Sequence, residues 1–327
     1  MTQAFRIHIT GGPEVLCLED IEVGAPGARE VRIRNTAVAV NFRDVLVRRG
    51  AHRVALPSGI GLESAGVIEA VGAEVEDLRV GQRVACVAGP DGAYAEHRLA
   101  PAWRTMPLPD AIDERTAAAM MIRGMTARYL LHETYRVQAG DTILVHAAAG
   151  GVGLIMCQWA KHLGATVIGT VGSADKAAIA RAHGCDHAIV LAADGGTDFA
   201  AEVRARTDGR GVPVVYDSIG KATFAGSLAC LARRGILASF GEASGDPDPI
   251  APRTLGTLGS LYVTHPSLPD YTATRAELLA TANHLFDVVA SGAVRIAISA
   301  EYPLAEAARA HADLEARRTT GSIVLRV

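Results

Sequence analysis

His146-Ala-Ala-Ala-Gly-Gly-Val-Gly153 is a stretch that has given up nearly every side chain larger than a methyl group. It is preceded by Asp141-Thr-Ile-Leu-Val145, a short apolar, β-branched run that reads as a buried strand. It is followed by Leu154-Ile-Met-Cys-Gln-Trp-Ala-Lys-His-Leu163, with apolar residues at helical spacing and Gly164 as a stop signal. The small residues therefore sit where a strand hands over to a helix. Gly150, Gly151 and Gly153, with Val152 among them, let the backbone approach a bulky ligand. The amide groups and dipole of the helix start favour an anion there. The expected ligand is a dinucleotide pyrophosphate, although small residues at a tight turn can also serve packing alone.

Outward from this turn, the chain alternates strand and helix from Thr126 to about Thr264. Strand candidates are 142–147, 166–171, 187–191, 213–218, 235–241 and 260–264, which implies a parallel, doubly wound sheet of about six strands. Before residue 125 the style differs. Short β-like runs at 4–9, 30–34, 65–71 and 82–87 are broken by Gly and Pro turns, the pattern of a mainly antiparallel β domain. The tail from Arg275 carries a helix, the strand-like Tyr302-Pro-Leu304, a helix over 305–317 and a closing strand over 322–327. It is expected to return to the first domain. The domains are thus 1–125 with 267–327, and 126–266.

Composition narrows the function. At 327 residues, 49% hydrophobic, 20% charged and formally −3, the chain can bury the cores of two ordinary domains. No basic run or stripe is present to neutralise a phosphate backbone, so nucleic acid is not an expected partner. The N-terminus lacks a signal-peptide apolar core, and no apolar stretch reaches the roughly 20 residues that span a bilayer. The expected address is the cytoplasm. Five scattered cysteines, Cys17, Cys86, Cys157, Cys185 and Cys230, read as buried thiols and not as disulfides or zinc ligands.

The choice of dinucleotide is read at the end of the next strand. An NAD site places an acid about 20 residues past the glycines, whereas here Gly172-Ser-Ala-Asp-Lys176 follows the strand. Gly172 leaves room, Ser173 offers a hydroxyl and Lys176 a positive charge, which suit the 2′-phosphate of NADPH. The other reading of Lys176 is a solvated residue in a first helical turn. Asp175 opposes a phosphate site but also suits a helix N-terminus.

Over nearly its full length the sequence resembles the zinc-free medium-chain reductases, specifically the NADPH:quinone oxidoreductase group related to zeta-crystallin. The resemblance is carried by Gly11-Gly-Pro-Glu-Val-Leu16, Asn41-Phe-Arg-Asp44, Leu56-Pro-Ser-Gly59, Gly92-Ala-Tyr94, the 146–153 stretch, Cys157-Gln-Trp-Ala-Lys161, Val215-Tyr-Asp-Ser218, Ser239-Phe-Gly241 and Gly259-Ser-Leu-Tyr-Val-Thr264. It implies a GroES-like β domain joined to a Rossmann domain. It also implies Asn41 as a polar group at the nicotinamide and acceptor, Thr126 near the nicotinamide, Phe240 and Gly241 lining the cofactor site, and Arg317 near the 2′-phosphate. Taken without the resemblance, Asn41 reads as a helix cap, Thr126 as a helix hydroxyl bonded to the preceding turn, Phe240 as core and Arg317 as a solvated helix-end residue.

Residue types argue against a metal. A catalytic zinc takes about three ligands from Cys, His and carboxylate. In Gly61-Leu-Glu-Ser-Ala-Gly66, Leu62 stands where zinc-dependent relatives carry a histidine, and Asn41 occupies the region of their thiolate. Without a Lewis acid the acceptor itself must spread the incoming charge, as quinones and activated alkenes do. The sequence also departs from the group. Leu191 replaces a tyrosine near the adenosine, and Leu46 and His52 replace two tyrosines of the acceptor pocket. His52 is a candidate proton donor, or a surface loop residue.

Three readings follow. The first is an NADPH-dependent quinone reductase working without metal or flavin. The second is an alkene reductase acting on an enone or enoyl thioester, and the third a non-catalytic nucleotide-sensing, structural or RNA-binding protein. The strand Ser260-Leu-Tyr-Val-Thr264 ends the expected sheet, and an apolar edge must be covered or paired. A homodimer is expected there, in line with the resemblance.

Overall fold

The computed structural model describes residues 1–87, 92–192 and 197–327. Two compact units emerge. The first comprises residues 1–122, 272–290 and 296–327; the second comprises 123–271 and 291–295.

The first unit is built on β1 (Thr2–Ile7), β2 (Cys17–Ile21), β3 (Glu30–Val40), β4 (Ser58–Gly59), β5 (Glu63–Val71), β6 (Arg83–Val87), β7 (His97–Pro101) and β8 (Thr105–Pro107), with the helix α1 (Phe42–Arg49) between β3 and β4. Helix α2 (Glu114–Tyr129) leads out of it. A larger sheet runs β6-β5-β3 through antiparallel pairs, with β8 on β6 and β7 on β3; β1, β2 and β4 form a smaller antiparallel sheet. Strand β3 runs six residues past the expected end at Arg34. Asn35 follows that end, is 2% exposed, and its side-chain amide donates to the Ala93 and Ala95 carbonyls at 3.2 and 2.7 Å. A polar side chain whose donor is paired in this way does not interrupt a buried strand. Apolar side chains of β3, β5 and β6, among them Ile33, Ile68 and Val84, form one core; Val38, Val40, Ile60 and Tyr94 belong to another.

The second unit contains β9 (Thr142–Val145), α3 (Gly151–His162), β10 (Thr166–Val171), α4 (Ala174–Ala182), β11 (His187–Val190), α5 (Phe199–Arg206), β12 (Val212–Asp217), α6 (Phe224–Cys230), β13 (Leu231–Ser239), α7 (Pro252–Thr257) and β14 (Tyr262–Thr264). All pairings are parallel, in the order β11-β10-β9-β12-β13-β14. This is the expected doubly wound Rossmann sheet. The order reverses between β9 and β12, where such sheets bind ligands beyond the carboxyl ends of their strands. The buried strands read as near-continuous apolar runs because both faces are covered.

The tail supplies α8 (Arg275–Ala290), β15 (Ile298–Pro303), α9 (Ala307–Glu315) and β16 (Ser322–Arg326). Strand β16 pairs antiparallel with β3, from Ile323 opposite Val40 to Arg326 opposite Ala37, so the tail returns to the first unit as expected. One cysteine expectation needs correction: Cys17 is exposed, because β2 is a half-covered strand at the edge of the small sheet. The other four cysteines are buried, and all five are free thiols. Among the described residues no helix is long and apolar enough to cross a membrane.

Candidate functional site

The glycine turn is held from beneath. His146, 1% exposed, follows β9 with Nδ1 2.7 Å from Thr170 Oγ1 and Nε2 2.9 Å from Ser227 Oγ. Ser227 donates its single proton to Asp217 Oδ2 at 2.8 Å. Its oxygen must therefore accept from His146, which places the imidazole proton on Nε2 and leaves Nδ1 to accept from Thr170. Burial lowers the His146 pKa, in keeping with a neutral ring that Asp217 only partly offsets. Asp217 also accepts from the Ile219 and Gly220 amides at 2.8 and 3.1 Å and from the Thr223 hydroxyl. The ends of β9, β10 and β12 are thus tied to α6. Sequence reading quoted His146 and gave it no role.

Above this anchor Ala147 has a left-handed backbone, φ 50°, a strained state for a residue with a Cβ. A Cβ on Gly153 would lie 2.3 Å from the Ala147 carbonyl oxygen, so the turn closes only with glycine there. Gly150 occupies the N-cap of α3 in an extended conformation without a side-chain cap. The first intrahelical bond runs from Leu154 N to the Gly150 carbonyl at 2.9 Å, so the amides of Gly151, Val152 and Gly153 precede the ladder. That is an anion cradle, and the residues fit a dinucleotide pyrophosphate.

At the end of β10, a Cβ on the exposed Gly172 would meet nothing within 4 Å. Ser173 caps α4, its Oγ accepting the Lys176 amide at 3.3 Å, and this leaves the hydroxyl proton available to donate. Both side chains are half-buried, and the exposed Asp175 lies in the same first turn. Leu191 packs against the core of this unit. Phe240 is half-buried, and its main-chain amide donates to the Asp217 carbonyl at 2.8 Å. A Cβ on Gly241 would come within 2.9 Å of the Ser218 carbonyl oxygen. Thr126, 8% exposed, lies on α2 one turn before Tyr129, whose ring stacks on Tyr271 at 4.3 Å between centroids.

In the first unit Asn41 does two things. As the N-cap of α1 it has its amide bonded to Asp44 Oδ2 at 2.8 Å, so the capping role read from the sequence is present. Its side chain is also fixed: Nδ2 donates to Glu63 Oε1 at 2.9 Å, and Glu63 Oε2 accepts the Ile122 amide at 2.7 Å. Glu63 is fully buried and Asn41 is 6% exposed. A carboxylate can only accept, so it sets which end of the amide faces it. Sequence reading missed Glu63, although a carboxylate opening the buried run of β5 was a signal. Leu62 beside it is buried. His52 is half-buried beyond α1, its amide donating to the Leu46 carbonyl at 3.2 Å. Arg317, exposed and left-handed at φ 56°, follows α9 in this unit. The described bonds therefore join Ser173 to Lys176, and Asn41 to Asp44 and Glu63.

Two family descriptions match the chain: "Alcohol dehydrogenase GroES-like domain" over residues 27–110 and "Zinc-binding dehydrogenase" over residues 151–284. The second description names zinc. Leu62 and Asn41 are not zinc ligands, and among the described residues no three His, Cys, Asp or Glu side chains are grouped to hold a metal. A quinone oxidoreductase of Pseudomonas aeruginosa is 50% identical, with 99% of each chain covered. A 2-haloacrylate reductase of a Burkholderia species is 47% identical over 99% of each. The solved structure of Escherichia coli quinone oxidoreductase complexed with NADPH superposes with a TM-score of 0.96 at 41% identity, covering 99% of this chain and 100% of that one.

Proposed function

Because the chain belongs to the quinone oxidoreductase family of the medium-chain dehydrogenase/reductase superfamily, we propose that it reduces quinones in the cytoplasm with NADPH as hydride donor. The observation that carries this reading is the uncapped start of α3 above the His146 anchor, joined with the open, acid-free end of β10. NADPH, when bound, supplies a hydride from C4 of its nicotinamide. Gly150, Gly151, Val152 and Gly153 hold its pyrophosphate. Ser173 and Lys176 bind the 2′-phosphate, with Gly172 leaving room for it. Phe240, Gly241 and Thr126 line the cofactor's path. Asn41, braced by Glu63, orients the acceptor. Among the described residues no side chains are grouped to hold zinc, and the residues named here position the reactants and exclude water. NADPH oxidation by the purified protein across a panel of quinones, enones and enoyl thioesters tests the reading: quinones should be reduced fastest, and no oxidation with any of them would overturn it.

The similarity to a 2-haloacrylate reductase favours a second reading, reduction of an activated alkene. An alkene needs a proton on carbon, whereas quinone oxygens take protons from water. On that reading His52 is the donor, and enones would lead the panel.

Lys176→Ala is expected to weaken NADPH binding by about 1–3 kcal/mol, the worth of a charge-assisted bond, and to leave NADH binding unchanged. Titration of both cofactors by fluorescence checks this, and equal losses for the two would remove Lys176 from the phosphate site. We also propose a homodimer through β14. It is the edge strand of its sheet, with Tyr262 57% exposed and Leu258 nearby 46% exposed. Light scattering at micromolar protein should report twice the chain mass; a monomer contradicts the proposal.

A further inference from the structure

Asn41 stands at one end of a buried chain of hydrogen bonds that its own neighbourhood in sequence does not suggest. Asp44 Oδ2, which accepts the Asn41 amide, also accepts the Tyr94 hydroxyl at 3.0 Å. Tyr94 Oη lies 3.0 Å from His311 Nε2, and His311 Nδ1 lies 3.2 Å from an Arg48 Nη. Arg48 also donates to both Glu315 oxygens at 2.9 and 2.8 Å and, through Nε, to the Gly11 carbonyl at 3.1 Å. Arg48, Tyr94 and His311 are fully buried and Asp44 is 1% exposed.

The chain has one polarity. A guanidinium has only donors, so His311 Nδ1 must accept and the imidazole proton sits on Nε2, donating to Tyr94. The Tyr94 proton is then committed to Asp44. No member can turn without leaving a buried polar atom unpaired. Because Arg48 cannot release a proton and blocks Nδ1, the chain is an orienting device and not a proton path. Space for it is built in: Gly61 has φ 93°, and a Cβ there would lie 2.2 Å from the Tyr94 ring.

A buried charged network adds little stability over apolar packing of the same volume, which leaves geometry as its use. We propose that Tyr94 and His311 are positioning residues for the reaction: through Asp44 they lock the backbone of Asn41, while Glu63 locks its side chain. The proposal rests on the reading of Asn41 as the group that orients the acceptor.

Tyr94→Phe, His311→Leu and His311→Gln, each made alone and combined with Asn41→Ala, test it. Tyr94→Phe and His311→Leu are expected to lower kcat for quinone roughly tenfold, with the Kd for NADPH kept within about twofold. In His311→Gln the new side-chain amide can accept from Arg48 and donate to Tyr94, so this variant should stay within about threefold of the parent kcat. In the Asn41→Ala background none of the three should lower kcat by more than about twofold, since coupled residues are not additive. Equal fractional losses in both backgrounds would overturn the proposal alone, as would a lowered Tm with unchanged kcat. Unchanged kcat in Asn41→Ala itself removes the reading of Asn41 and the proposal with it. Should Tyr94→Phe not fold, the contrast between His311→Gln and His311→Leu decides the matter.

Discussion

Asn41→Ala is expected to lower kcat for quinone reduction by on the order of 100-fold, the effect of a misplaced reactant, while the Kd for NADPH changes by no more than about threefold. The reasoning is local. Asn41 Nδ2 is held by a buried carboxylate that itself spans to the Ile122 amide, so the amide group has one orientation before any ligand arrives. A group that aligns the acceptor acts on the reacting geometry and lowers kcat and kcat/KM together. The substitution also leaves Glu63 Oε1 without its Asn41 donor in a buried place, a cost of about 1–3 kcal/mol in stability. Kinetics should therefore be measured well below the Tm of the variant. A loss confined to NADPH affinity would move Asn41 out of the acceptor site and leave it as a helix cap.

The second large effect is on stability in acid. Burial, with the neighbouring Arg48 charge, holds the His311 pKa down at about 3, and the nearby Glu315 carboxylate only partly offsets them. The unfolded chain binds a proton at this histidine below its ordinary value near 6.5, and the folded chain does not until about 3. Stability is therefore fully present above about pH 6.5 and is lost as pH falls from there towards 3, by about 1.4 kcal/mol per pH unit. Between pH 6.5 and pH 5 that amounts to about 2 kcal/mol from His311. His146, depressed by burial under the glycine turn, acts in the same direction. Burial raises the Glu315 carboxyl, but the Arg48 hydrogen bonds and charge outweigh it and hold the net value low, so its contribution is lost at still lower pH. Urea denaturation at pH 7 and pH 5 should show the loss in the parent and a shallower dependence in His311→Gln. Identical slopes for the two proteins would contradict the neutral assignment of His311.

The second unit was legible in the sequence because its physics is local. Thr166–Val171 was placed to the residue, since a parallel strand covered on both faces is an apolar run and the glycines after β9 permit a turn that bulkier residues cannot. Ends were less legible: β13 starts at Leu231, before the glycine expected to open it, because pairing with β12 extends the strand. In the first unit, β2 and β7 escaped notice. They are short and only partly covered, and β2 has no apolar alternation. The braces of the site were illegible for a different reason. Glu63 reaches across 22 residues to Asn41, His311 across 217 to Tyr94 and across 263 to Arg48. Such partners share no period or motif, and the tail comes back into this unit through long-range contacts such as the pairing of β16 with β3. A buried charge in an apolar run, as at Glu63, signals that a partner exists and says nothing of where it lies.

The central claim, direct hydride transfer from NADPH to a quinone without a metal, is tested most directly by single-turnover quinone reduction. The measurement uses chelator-treated protein and NADPH carrying either hydrogen or deuterium at the transferred C4 position. The account predicts a rate that chelation leaves unchanged and that deuterium slows. A rate abolished by chelation and restored by zinc, or no NADPH oxidation with quinone at all, would contradict it.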